Sequence, residues 1–173
     1  MLRVRNARTV MVILVCVTAL TAAGVMAGNA GQIPKEPVKW SIKAGLPEKP
    51  LKPSQTFSVH LTAKIEEGWH LYSTEQIEGG PIPTRIVMPP EQPFEQAGTV
   101  ESSEPKTAMD PSFNLMTEYY EEEAAFTIPV KVAADAAAGK SEVKVNVSFQ
   151  TCNDQICLPP KTVKLAAAVN LTR

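Results

Sequence analysis

Residues 56–65 read Thr-Phe-Ser-Val-His-Leu-Thr-Ala-Lys-Ile, and this stretch decides the fold class. Phe57, Val59, Leu61, Ala63 and Ile65 fall on one face, and Ser58, His60, Thr62 and Lys64 on the other. That period of two is the signature of a strand with one buried side. The same alternation recurs C-terminally. Phe126, Ile128, Val130 and Val132 share a phase, as do Val143, Val145, Val147 and Phe149, and Val163, Leu165, Ala167, Val169 and Leu171. Shorter candidates lie around Val38, Trp40 and Ile42, at Trp69 to Tyr72, and at Thr84 to Met88. The turn signal Glu78-Gly79-Gly80-Pro81 separates the last two, and Pro89-Pro90 ends the second. Between Glu91 and Glu123 the alternation decays around Pro93, Pro105 and Pro111, so this stretch reads as a long, irregular and functional connection. Seven or eight short strands without βα alternation predict an all-β fold, an antiparallel sandwich.

Composition narrows the function. The 173 residues carry 17 basic and 18 acidic side chains, a balance unlike that of a nucleic-acid binder. Fifteen prolines disfavour long helices, and two histidines nearly exclude a multi-histidine metal site. The amino terminus reads as an export signal. Arg3, Arg5 and Arg8 precede an apolar run from Val10 to Ala23, followed by small residues that allow a cut after Ala27 or Ala30. The competing reading is an uncleaved N-terminal membrane anchor. Cleavage after Ala27 removes three of the 17 basic residues and no acid, taking the formal charge from −1 to −4. The predicted organisation is a signal peptide over 1–27, a lead-in over 28–37 and a β-sandwich domain over 38–173. Cys16 leaves with the signal, so the exported chain keeps one pair, Cys152 and Cys157, in an oxidising compartment.

That pair brackets Asn153-Asp154-Gln155-Ile156, between the strands expected at Glu142 to Thr151 and Thr162 to Leu171. The spacing predicts a hairpin with a cysteine near each root, about 4.5–5.5 Å apart at Cα and within disulfide range. A bond closing six residues is worth roughly 2 kcal/mol in chain entropy, and it ties strands that the hairpin already ties. The residues leave a redox pair and a structural staple equally open, with metal binding a distant third. Asp154 would raise a neighbouring thiol pKa, and the nearest cation in sequence is Lys161. Leu158-Pro159-Pro160 gives a stiff exit that cannot extend a sheet, leaving the cysteines open to a partner.

Three segments carry a resemblance. Ser148 to Thr162, SFQTCNDQICLPPKT, resembles the cysteine hairpin of the DsbD amino-terminal domain family. Gly68 to Thr84, GWHLYSTEQIEGGPIPT, resembles the aromatic strand and loop beside that hairpin, and Phe126 to Val130, FTIPV, matches a further strand. The resemblance implies an immunoglobulin-like sandwich in the periplasm. It implies a protein-disulfide reductase of the thiol:disulfide interchange type, without cofactor or metal. Its dithiol would be reduced by a membrane-linked, thioredoxin-like donor. It would then reduce periplasmic disulfide-containing proteins such as isomerases and cytochrome-maturation factors. Carried over, Cys157 is the attacking thiolate and Cys152 the resolving one. A mobile cap loop would fall in Asp110 to Tyr120, with Phe113 as the shielding aromatic and Asp110 as its acidic neighbour. Tyr72 would lie beside the cysteines and help close the pocket. His70, on the same strand, reads either as a half-buried strand residue or as a proton donor. Unlike the fused family proteins, this chain has no C-x-x-C, so its donor would be a separate protein.

Two rival readings remain at the level of sequence. One is a periplasmic binding or adaptor sandwich with a structural disulfide. The other is a copper carrier using Met88, Met109, Met116, His60 or His70, whose thioether and imidazole groups suit copper but are scattered along the chain. No Ser-His-Asp spacing, phosphate loop or carboxylate pair supports a hydrolase.

Overall fold

In the computed structural model, residues 36–173 are described except Leu46, Glu48 and Gln76; the predicted signal peptide lies outside them. Among the described residues there is no helix, and so none long and apolar enough to cross a membrane. The strands are β1 (Val38–Gly45), β2 (Thr56–Ile65), β3 (His70–Tyr72), β4 (Arg85–Val87), β5 (Phe94–Gln96), β6 (Glu101–Ser102), β7 (Lys106–Asp110), β8 (Leu115–Tyr120), β9 (Glu123–Val132), β10 (Gly139–Phe149), β11 (Thr151–Cys152) and β12 (Lys161–Leu171). One sheet runs β1-β2-β9-β5, with β6 also pairing β9; a second runs β12-β10-β4; a third runs β11-β3-β8-β7. Among the described residues, every ladder between these strands is antiparallel.

The core follows from the alternation. Val59, Leu61 and Ala63 of β2 meet Ile128, Phe126 and Ala124 of β9 in register, and all six are fully or almost fully buried. Val143, Val145 and Val147 of β10 oppose Ala167, Leu165 and Val163 of β12. These inner faces belong to one hydrophobic cluster, which Trp40 enters from β1 by stacking on Phe126 at 5.8 Å. Each fully buried Val, Leu or Phe contributes roughly 1.5–3 kcal/mol of transfer free energy, so the sandwich holds without help from the disulfide.

The third sheet corrects the sequence reading. The stretch 91–123, expected to be an irregular connection, contains four strands, and β7 and β8 form a hairpin. Leu71 of β3 and Tyr120 of β8 face the main core, which anchors this sheet to the sandwich.

Candidate functional site

The cysteines lie where the chain changes sheets. The β10–β12 ladder ends at Phe149 opposite Lys161. After Gln150 the backbone leaves that ladder, and β11 pairs instead with β3, Thr151 opposite Leu71 and Cys152 opposite His70. Gln150 braces the crossing by accepting the Ile82 N–H at 3.1 Å and donating to the Leu158 carbonyl at 3.3 Å. The cysteines therefore face each other as an antiparallel pair near the roots of the β10–β12 connection, as the hairpin reading expects, and the addition is that Cys152 also pairs with β3. Leu158 N–H donates to Thr151 O, and Asn153 N–H donates to Ile156 O. The Asn153 side chain accepts the N–H groups of Gln155 and Ile156 at 2.9 and 2.8 Å, an Asx turn that fixes the loop. Cys152 and Cys157 are disulfide-bonded with Cα atoms 4.0 Å apart, closer than an ordinary cross-strand pair. Cys152 is wholly buried, whereas Cys157 is half-buried and Ile156 beside it is exposed.

Beside this turn, β3 presents His70 and Tyr72. Gly68, at φ 77°, completes the turn in which Trp69 N–H donates to Glu66 O and which delivers the chain into β3. Residues two apart on a strand share a face, so His70 and Tyr72 point the same way as Cys152. Tyr119 is the partner of Tyr72, and Leu115, Thr117 and Tyr119 of β8 share that face with Lys106, Ala108 and Asp110 of β7. The Tyr72 hydroxyl, on a residue 1% exposed, donates to Asp110 Oδ2 at 2.6 Å. His70 Nε2 lies 3.1 Å from the same hydroxyl and 3.8 Å from Asp110 Oδ2. Burial, reinforced by the hydrogen bond to Asp110, pushes the Tyr72 phenol far above the usual tyrosine range. Burial lowers the His70 pKa below 6.5, against opposing pulls from Asp110, Asp154 and Glu121.

Asp110 also starts the turn that carries Phe113. Its Oδ1 accepts the Ser112 N–H at 2.8 Å, and its carbonyl accepts the Asn114 N–H at 2.8 Å. Asn114 sits at φ 52°, a left-handed position that asparagine tolerates. The turn sets the Phe113 ring edge-on to Tyr72, centroids 6.1 Å apart. Asp110 to Tyr120, expected to be a loop, is thus the last residue of β7, a tight turn and all of β8. Asp110 is itself buried, at 4% exposure, rather than loop-borne.

The structure therefore brings all six candidate residues to one place: Cys152 opposite His70, His70 and Tyr72 on one face, and Asp110 and Phe113 against Tyr72. Sequence reasoning missed Tyr119, whose ring lies 5.0 Å from that of His70, and Thr117, fully buried with no hydrogen-bond partner for its hydroxyl. Neither belongs to an apolar alternation, and only pairing with β3 reveals them. Lys161, the nearest cation in sequence, is engaged by Glu36. Of the proposed copper ligands, Met109 and Met116 face each other across β7–β8 and are exposed. They lie on the opposite face of the sheet from His70, and His60 belongs to a different sheet. Among the described residues, no group of three or more His, Cys, Asp or Glu could hold a metal.

A family model described as thiol:disulfide interchange protein DsbD, N-terminal, matches residues 44–168, a span containing all six residues. No curated protein matches the chain. Among solved structures, the N-terminal domain of DsbD from Neisseria meningitidis, in the reduced form, is similar with a TM-score of 0.53. It is 17% identical, over 82% of this chain and 93% of that one. The N-terminal periplasmic domain of ScsB from Proteus mirabilis is similar at a TM-score of 0.48 and 14% identity, over 80% of this chain and 49% of that one. The all-β, antiparallel architecture is that of the immunoglobulin-like DsbD amino-terminal domain. This chain belongs to the DsbD N-terminal family of thiol:disulfide interchange proteins.

Proposed function

We propose that the protein passes electrons through the Cys152/Cys157 pair, from a membrane-linked thioredoxin-like donor to disulfide-bonded proteins of the periplasm, acting as a protein-disulfide reductase. The observation that carries this reading is the asymmetry of the disulfide. Cys157 is half-buried in an edge turn, while Cys152 is sealed beneath it at 0% exposure. Thiol–disulfide exchange requires in-line access to one sulfur and a held leaving group behind it.

In the reducing step, the donor thiolate attacks Cys157 Sγ. A donor–Cys157 disulfide forms, the Cys152–Cys157 bond breaks, and the electron pair leaves on Cys152 Sγ. The donor's second thiolate then attacks its own sulfur and releases Cys157 as thiolate. In the outgoing step, the Cys157 thiolate attacks one sulfur of the recipient's disulfide, that bond breaks and the other sulfur leaves as thiolate; Cys152 then attacks Cys157 and displaces the attached recipient sulfur as the second thiolate. The pair is oxidised, the recipient reduced, and two electrons have moved. Phe113, held against Tyr72 by the Asp110 turn, is the shielding aromatic, and the Tyr72–Asp110 hydrogen bond holds the turn in place. Export through the amino-terminal signal would put the pair in the periplasm.

Trapping tests the roles. Cys152→Ser leaves Cys157 without its resolving partner and should accumulate a mixed disulfide with an oxidised thioredoxin-like protein. Cys157→Ser leaves only the buried thiol and should accumulate none. The reverse pattern would overturn the assignment.

A further inference from the structure

We propose that His70 carries the proton of Cys152, taking it when that buried thiol must become a thiolate and returning it when the thiolate is released. The inference rests on the exchange reading above and assigns one step in it.

Register is the first argument. Cys152 and His70 are direct partners across β11 and β3, so their side chains leave the same face with Cβ atoms about 4.5–5.5 Å apart. Cys152 is fully buried, and a thiolate released there has no water to take its charge. The ionisable groups around His70 do not help. Asp110 of β7, Asp154 of the cysteine turn and Glu121 beyond β8 are acidic. Tyr119 of β8 and Tyr72 of β3 are phenols. Lys106, the partner of Tyr119, is paired with Glu121. The imidazole of His70, the direct partner of Cys152, is the side chain whose charge changes near neutral pH.

Hydrogen bonding sets its tautomer. The Tyr72 hydroxyl gives its proton to Asp110 at 2.6 Å, so its oxygen accepts from His70 Nε2–H at 3.1 Å. Neutral His70 therefore carries its proton on Nε2 and keeps Nδ1 as the basic nitrogen. Burial holds the ring neutral at pH 7, so it is ready to accept a proton. In the outgoing step, the Cys152 S–H proton moves to the imidazole as the sulfur attacks Cys157. In the reducing step, the imidazolium returns a proton to Cys152 as the disulfide bond breaks.

The test uses dithiothreitol on the native oxidised protein and compares wild type with His70→Gln. Glutamine keeps a donor toward Tyr72 but cannot titrate. The rate per dithiothreitol thiolate is measured from pH 5 to 8. Wild type is expected to accelerate toward acid, with an inflection below pH 6.5, and His70→Gln to be flat and about tenfold slower at the acid end. That factor corresponds to a leaving thiol made about two pKa units more acidic. Superposed profiles would overturn the inference. Should the variant not fold, proton NMR of wild type decides. The chain has two histidines, and the titration of His70 should move upward on reduction. An unmoved His70 would overturn the inference. The two readings fail differently. Disulfide reduction only after unfolding removes both, whereas rapid native reduction with superposed profiles removes only the role of His70.

Discussion

Tyr72→Phe removes one oxygen from the centre of the site and leaves the ring in place. That oxygen donates to Asp110 Oδ2 at 2.6 Å and lies 3.1 Å from His70 Nε2. Tyr72 and Asp110 are 1% and 4% exposed, so water cannot replace the lost donor. Asp110 keeps the Ser112 N–H on its other oxygen. A hydrogen bond to a charged group is worth about 1.5–3 kcal/mol, and the Phe ring leaves no cavity beyond the hydroxyl. The expected loss is about 2 kcal/mol at pH 7, read as a lower urea midpoint at constant slope and a melting temperature lower by roughly 6 °C. Since the Asp110 turn also carries Phe113, part of the loss should appear as easier opening of that turn. Dithiothreitol should then reduce the native disulfide faster, by up to about 30-fold if the whole loss falls on opening. A variant within about 0.5 kcal/mol of wild type and reduced at the wild-type rate would refute the reasoning. The hydroxyl would then not be what holds the turn against β3.

Phe113→Ala removes an edge-on aromatic contact worth about 0.5–1.5 kcal/mol, so reduction by dithiothreitol should accelerate about two- to tenfold with little change in global stability. Alkaline titration should report Tyr72. Its pKa is raised in the folded state, so its contribution is intact below the ordinary tyrosine value of 10.0 and is lost as pH rises above it. Wild type should therefore lose stability above about pH 10 more steeply than Tyr72→Phe, measured by urea midpoints along the series. His70 acts at the other end. Its pKa is lowered on folding, so its contribution is present above 6.5 and is lost as pH falls below it. Melting temperatures of His70→Gln should fall less than those of wild type between pH 7 and 5.

The sandwich was legible wherever a strand buries one face. Val59, Leu61 and Ala63 announce β2, and Val143, Val145 and Val147 announce β10, because burial imposes the period of two on composition. The β7–β8 hairpin gave no such signal. Its outward face carries the exposed Met109 and Met116, and its covered face carries Asp110 and Thr117. A face that lines a polar site inverts the pattern by which strands are recognised. Four of the six site residues were reachable through the motif around the cysteines and the aromatic segment before β4, and Asp110 and Phe113 through the irregular stretch that the resemblance marks as a cap. The direct pairing of Cys152 with His70 was not, because it depends on one event, the turn of the chain beyond Gln150 onto β3. Local spacing predicts the hairpin that brings Cys152 opposite Cys157, but it carries no sign of the second partner, strand β3.

The central claim is that the Cys152–Cys157 bond is an exchanging pair in the folded state. Its reduction potential measures this most directly, by equilibrating the native protein against glutathione or dithiothreitol and alkylating the free thiols. A value between about −180 and −270 mV, reached without unfolding, is the predicted result. A value below about −300 mV, with thiols alkylated only after denaturation, would make the bond structural and contradict the account.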